Sequence, residues 1–284
     1  MTQTVNVIPV ELNEMRAAST ADGGTALTST STGASSPTAL GIVPIPYGSD
    51  YVSITPRNLS GAAVVKIALN PYLSVFWTDT SGVNIINIGE ELQDGDSVAI
   101  AIDDLPTFAN GGAMYVGSRI PFRGVSIEVG SDPNGTGNDL TVNYWTGGSW
   151  VDISDTDSTD TGASLAVDGT VLWTVPDPWP AASLKAIGTQ IGSGFEFNLP
   201  SDAPRLATPM YWTRWEWTNA MDSSTDINAM YALAQTSKYA EYLTGQTFEI
   251  MVSKREIASV QGVTNAGTAN LLVNVGTLVG SEFE

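Results

Sequence analysis

"DLTVNYWTGGSWVDIS", residues 139 to 154, reads as a β-hairpin. Gly147 and Gly148 fit a two-residue turn, where positive φ angles favour glycine. That turn sets the register: Thr146 opposite Ser149, Trp145 opposite Trp150, Tyr144 opposite Val151, and Val142 opposite Ile153. Side chains alternate across a strand, so Val142, Tyr144, Val151 and Ile153 share one apolar face. The other face carries Thr141, Asn143, Asp152 and Ser154 together with both tryptophans. An aromatic pair on a polar face asks for cover, from another segment of the chain or from a neighbouring subunit. Trp145, Trp150, Asn143 and Asp152 are therefore the candidate interface residues.

Similar short runs lie on both sides of the hairpin. Upstream are "YVSITP", "AAVVKIAL", "LSVFWT", "VNIINI" and "SVAIAI", punctuated by Asn70-Pro71, Ser81-Gly82 and Asp94-Gly95. Around it are "AMYVGS", "GVSIEVG", "GTVLWTV", "FEFNL" and "YWTRWEWT", and the tail carries "FEIMVSKREIASVQGV" and "TANLLVNVG". Short β-branched runs between turn signals predict an all-β chain of antiparallel sheets. The expected organisation is an N-terminal arm (1–45), a β domain (46–110) and a sandwich or jelly-roll domain (111–284) with a C-terminal β segment. Residues 17 to 42 are almost wholly small or polar, too poor in apolar surface to offset their own ordering. They read as a tail or as an arm that orders along a neighbouring subunit, with "VNVIPVEL" (5–12) as a strand-like anchor.

One segment carries two periodicities. In "DINAMYALAQTSKYAEYL" (226–243), Ile227, Met230, Tyr231, Ala234, Lys238 and Tyr242 suit a helical stripe, and alanine content favours helix. Ile227, Ala229, Tyr231 and Leu233 also alternate as a strand would.

Composition removes most chemistries. The 284 residues contain no cysteine and no histidine, which excludes disulfides, thiolate or imidazole metal sites, cysteine nucleophiles and Ser-His-Asp triads. Thirty acidic residues against eleven basic ones give no basic footprint for nucleic acid or an anionic membrane. The start "MTQTVNVIPVELNEM" lacks a basic n-region and an apolar block, so no secretory leader is expected. No run approaches the ~18 apolar residues of a membrane span, and a soluble protein is expected.

"MYVGSRIPFRGVSIEVG", "LTVNYWTGGSWVDI", "DGTVLWTVPDPW" and "MYWTRWEWTNAMDSSTDI" follow one another in order between about residues 113 and 233. Together they resemble a module of structural proteins of tailed bacteriophages. There a glycine-turn tryptophan hairpin precedes a "DGT" strand, a "P…W" loop and a tyrosine-tryptophan-arginine strand. The tail "SVQGVTNAGTANLLVNVG" is similar to the ends of such proteins. The resemblance implies a virion component, a β-sandwich, and the strand reading for 226–233. It leaves open a place in capsid, tail or fibre.

Candidate sites narrow accordingly. In "YWTRWEWT", Tyr211, Trp215 and Trp217 take one face, and Trp212, Arg214 and Glu216 the other. The tryptophan cluster as a whole reads as core, since large aromatics fill cores by default. An exposed aromatic pair would also suit a glycan ring. Asp152, Asp155, Asp157 and Asp160 resemble a calcium loop. An EF-hand starting at Asp155, however, wants glycine sixth and glutamate twelfth, where Asp160 and Ala166 stand. A looser calcium site stays open beside the plainer reading, a solvated turn whose aspartates cap their own backbone. Catalysis would rest on carboxylates alone, and Glu90-Glu91 or Asp103-Asp104, as strand neighbours, point to opposite faces. "SDPNGTGND" makes a tight loop rather than a phosphate cradle, because no lysine follows. The expectation is a non-enzymatic, cofactor-free, homo-oligomeric virion protein. Its first role is capsid decoration, binding the major capsid protein. A tail, baseplate or fibre part is the alternative, and a host-glycan-binding module the third.

Overall fold

The computed structural model describes residues 25–28, 41–45, 49–60, 64–78, 85–95, 98–187, 207–235, 240–242, 246–251 and 256–276. The chain is all-β, with antiparallel sheets, and it divides into two units. Unit 1 is made from both ends, Met1–Asn70 and Lys238–Glu284, and unit 2 is the uninterrupted Pro71–Ser237.

The N-terminal part supplies β1 (Thr25–Thr28), β2 (Ile42–Pro44), β3 (Tyr51–Arg57) and β4 (Val65–Pro71). Unit 2 contains β5 (Leu73–Thr78), β6 (Ile85–Asn87), β7 (Ile100–Ala101), β8 (Met114–Ser118), β9 (Phe122–Val129) and β10 (Leu140–Trp145). It continues with β11 (Trp150–Asp152), β12 (Thr156–Asp157), β13 (Gly169–Leu172), a short helix α1 (Leu184–Ile187), β14 (Tyr211–Trp217) and β15 (Asp226–Ala234). The C-terminal part adds β16 (Ala240–Tyr242), β17 (Phe248–Met251), β18 (Ile257–Thr264) and β19 (Thr268–Gly276).

Unit 1 is two four-stranded sheets, ordered β1-β19-β3-β17 and β16-β4-β18-β2. In both, strands from the two chain ends alternate without exception. The core between them is aliphatic: Val43, Ile45, Val52, Ile54, Val65, Ile67, Val260, Ala269, Leu271, Val273 and Val275. In β19 the buried residues Ala269, Leu271, Val273 and Val275 recur at every second position, the period of a strand with one face inward.

Unit 2 is a sandwich of a six-stranded sheet, β11-β10-β14-β8-β5-β6, and a five-stranded sheet, β12-β13-β9-β15-β7. Val75, Trp77, Met114, Val116, Val142, Trp215 and Trp217 from the first meet Val125, Ile127, Val129, Val171, Ile227 and Met230 from the second. Burying an aromatic of this size removes about 150–250 Å² from water, worth roughly 4–6 kcal/mol gross. Trp173 and Trp179, on the strand-to-helix connection, close this core against Phe122 at ring distances of 5.3 and 5.5 Å.

Several expectations need correction. The domain boundary falls at Asn70/Pro71, with a return at Ser237/Lys238, rather than at residue 110. Residues 73–78 pair with 114–118 inside one sheet, and the C-terminal strands pair with β3 and β4. Strand texture does not say which distant run is the partner. The arm boundary at 45 is also too late. Val43 and Ile45 are core, and β2 pairs β18. Thr25–Thr28 pairs β19, while "VNVIPVEL" and "FEFNL" lie outside the described residues. Residues 226–234 are a strand, as the resemblance implied, but its alternation is broken. A bulge between Ile227 and Ala229 puts Ile227 on the same face as Met230 and Ala232.

Candidate interface on the outer face of the six-stranded sheet

The hairpin has the register expected from its turn. Asn143, Tyr144 and Trp145 face Asp152, Val151 and Trp150, and the Ile153 amide donates to the Val142 carbonyl at 2.9 Å. Only Gly147 takes a positive φ, 100°, the arrangement that wants glycine at the first turn position. The turn closes with the Thr146 amide donating to the Ser149 carbonyl at 3.0 Å and the Thr146 hydroxyl donating to it at 2.9 Å. Val142 and Ile153 are buried in the main core and Tyr144 packs against it. Val151 is 43% exposed. It lies on the apolar side, but β11 is the edge of its sheet.

The two tryptophans point the other way, away from the main core. Their rings meet edge to face, with centroids 5.5 Å apart, and both are half-buried. The chain itself supplies part of the cover. A second, smaller core of Phe76, Ile85, Ala113, Tyr115, Leu184, Met210 and Trp212 lies on this outer face, with Phe108, Trp150 and Ile187 packed at its margin. Trp212 anchors it. Its indole donates to the Ala182 carbonyl at 2.9 Å, and its ring occupies the space a Cβ on Gly117 would need. Tyr115 sits 5.9 Å from the Trp150 ring, and burial pushes its hydroxyl well above the usual phenol range.

Between this covered half and the open edge lies a charged group. The Arg214 guanidinium stands 4.3 Å from the Phe108 ring centre and 5.0 Å from that of Trp150, a cation between two aromatic faces. It pairs with Glu216 at 2.6 Å, both side chains being mostly shielded. The Asn143 amide donates to the same Glu216 oxygen at 2.9 Å. In the two ladders Asn143 lies between Asp152 of β11 and Arg214 of β14, and its side chain turns to the β14 side. Asp152 is exposed and accepts from the Ser154 amide at 2.7 Å. Trp145, Trp150 and Asn143 thus form one assembly with Arg214 and Glu216, and Asp152 stands at its rim. The alternation of "YWTRWEWT" already put Arg214 and Glu216 on one face, opposite Trp215 and Trp217. Phe108 opens a single 3-10 turn, Phe108–Asn110, too short to carry such a signal.

The acidic loop behaves as a set of caps. Asp157 accepts from the Thr159 amide and hydroxyl and from the Ser164 hydroxyl, and Asp160 accepts from the Gly162 amide. Asp155 accepts from the Val142 amide at 2.9 Å, tying the loop to β10. Burial outweighs that bond and holds its carboxyl above the usual range. Among the described residues no group of three or more His, Cys, Asp or Glu side chains could hold a metal. The "SDPNGTGND" loop is pinned by buried Asn134, whose amide donates to the Asn138 side chain and the Ser164 carbonyl.

The chain matches no protein-family model, no curated protein and no solved structure.

Proposed function

We propose that this chain is a non-enzymatic structural protein of a tailed-phage particle, first a capsid decoration protein that binds the major capsid protein as a homo-oligomer. The observation that carries the reading is the Trp145–Trp150 pair. It is half-buried, fixed on a rigid sheet and backed by Arg214, the combination of aromatic and arginine that anchors interfaces. The four motifs between about residues 113 and 233 that resemble a phage structural module fall inside unit 2, the unit that carries this pair. A catalytic reading has less to stand on, because Asp152, Asp155, Asp157 and Asp160 are each occupied with a backbone amide, three of them two residues on and Asp155 with that of Val142.

The test is the double variant Trp145→Thr with Trp150→Thr, which keeps β propensity and removes apolar area. Incorporation into particles, measured by quantitative mass spectrometry, should fall at least about tenfold while the purified protein stays folded. Intact incorporation overturns the interface assignment. Loss of polysaccharide binding with intact incorporation would make the pair a glycan platform. Copy number separates the two virion roles: on the order of hundreds for a shell protein, far fewer for a tail part.

A further inference from the structure

We propose that β1 is an exchangeable strand, lying in the assembled form on β19 of a second copy of this chain. The inference rests on the reading of the protein as an assembling one. It starts from the place of β1 at the end of its sheet, where it pairs with β19 alone through Thr25↔Leu271, Ala26↔Asn270, Leu27↔Ala269 and Thr28↔Thr268. The chain then goes on to β2, which belongs to the other sheet. Between them, residues 29–40 read "STSTGASSPTAL", with one large apolar residue. Twelve residues reach up to about 40 Å when extended, enough to serve a neighbouring copy.

The backbone bonds of this pairing are the same whichever copy supplies the strand. Effective concentration alone then selects the donor, and symmetric packing of many copies raises it for the neighbour. The acceptor cannot stay empty cheaply, because β19 without β1 presents a free edge that templates another strand. Charge favours a second copy on this unit. Unit 1 carries nine acidic and six basic residues, whereas unit 2 carries twenty-one and five. Copies that meet through unit 1 repel far less than copies that meet through unit 2.

The absence of cysteine makes the test clean. Single variants Ala26→Cys and Asn270→Cys are mixed, oxidised and separated on a non-reducing gel, alongside the double variant in one chain. Leu27→Cys with Ala269→Cys is run in parallel, since successive pairs in an antiparallel ladder alternate between close and wide spacing. The expected result is a disulfide heterodimer of the single variants, its yield rising about tenfold with a tenfold rise in concentration at low occupancy. The double variant should close within one chain when dilute and form covalent multimers when concentrated. Closure within one chain at every concentration overturns the proposal, and so does failure of both pairs to close. Particle incorporation of the unmodified protein tests the virion reading separately, so either idea can fail without the other.

Discussion

The two units solve the same packing problem with different side chains. Unit 1 fills its sandwich with valine, isoleucine, leucine and alanine, while unit 2 adds tryptophan, phenylalanine and methionine to a similar aliphatic set. All eight tryptophans lie in unit 2. The difference shows what large aromatics permit. A small aliphatic core needs only two faces that alternate correctly. In unit 2 the outer face of one sheet carries a second core as well, because Trp212, Tyr115 and Phe76 are large enough to hold the 180–187 segment against it. That outer core ends at Trp150, and the proposed interface begins where it ends.

The largest expected effect probes the aromatic core. Trp215→Ala should destabilise unit 2 by about 3–5 kcal/mol in urea unfolding followed by tryptophan fluorescence. Ile54→Ala in unit 1 should cost about 2–5 kcal/mol, read by far-UV circular dichroism, with the fluorescence midpoint unmoved. If Ile54→Ala shifts both midpoints equally, the units unfold as one block and the contrast between separate cores fails.

A smaller effect is expected at the margin of the outer core. Arg214→Met keeps the chain length but leaves Glu216 with Asn143 and without its cation. A loss of about 1–3 kcal/mol follows from the lost charge-assisted bonds. Arg214→Lys should recover only part of it, since an ammonium cannot stack between Phe108 and Trp150 as a planar guanidinium does. Full recovery by lysine would reduce the site to a point charge.

The hairpin was legible because two adjacent glycines fix a register, and register fixes faces. The same logic put Trp215 and Trp217 on one face of their strand and Arg214 on the other. What could not be read were relations between distant segments. Nothing in "LSVFWT" says that its neighbour is "MYVGS" rather than a run in its own half, so the boundary at residue 110 cut a sheet in two. The break in β15 was hidden too, because a bulge at Asn228 leaves no mark on composition. Phe108 reaches Arg214 from a three-residue 3-10 turn, too short to show a period from which a facing residue can be inferred.

The smallest expected effect is on pH dependence, and it also separates the units. Burial holds Asp155 and Glu128 above the usual carboxylate range, with the nearby Asp168 charge adding to the rise at Glu128. The folded state therefore binds these two protons more tightly than the unfolded one. Their contribution is greatest below the ordinary carboxylate pKa and declines as pH rises through the window between ordinary and raised values. Asp222 works oppositely. The Gly135 amide, with Ser224 and Thr225, holds it below the ordinary range, so its contribution is present above that range and is lost as pH falls. Asp155→Asn should flatten the first slope in unfolding experiments from about pH 3 to 7, and an unchanged slope would remove Asp155 from the account. With no histidine, stability should be nearly level from about pH 5.5 to 7.5.

The strict alternation of strands in unit 1 bears on the order in which the protein can form during translation. Among the described residues, each of β1 to β4 has C-terminal strands alone for neighbours, and no two strands of the N-terminal part pair with each other. They leave the ribosome first and wait until β16 to β19 have been synthesised. Unit 2, continuous in the chain, can complete its sandwich during that interval. The nascent protein thus carries a finished aromatic half and an unpaired aliphatic one. The strands made later are the ones that close the earlier.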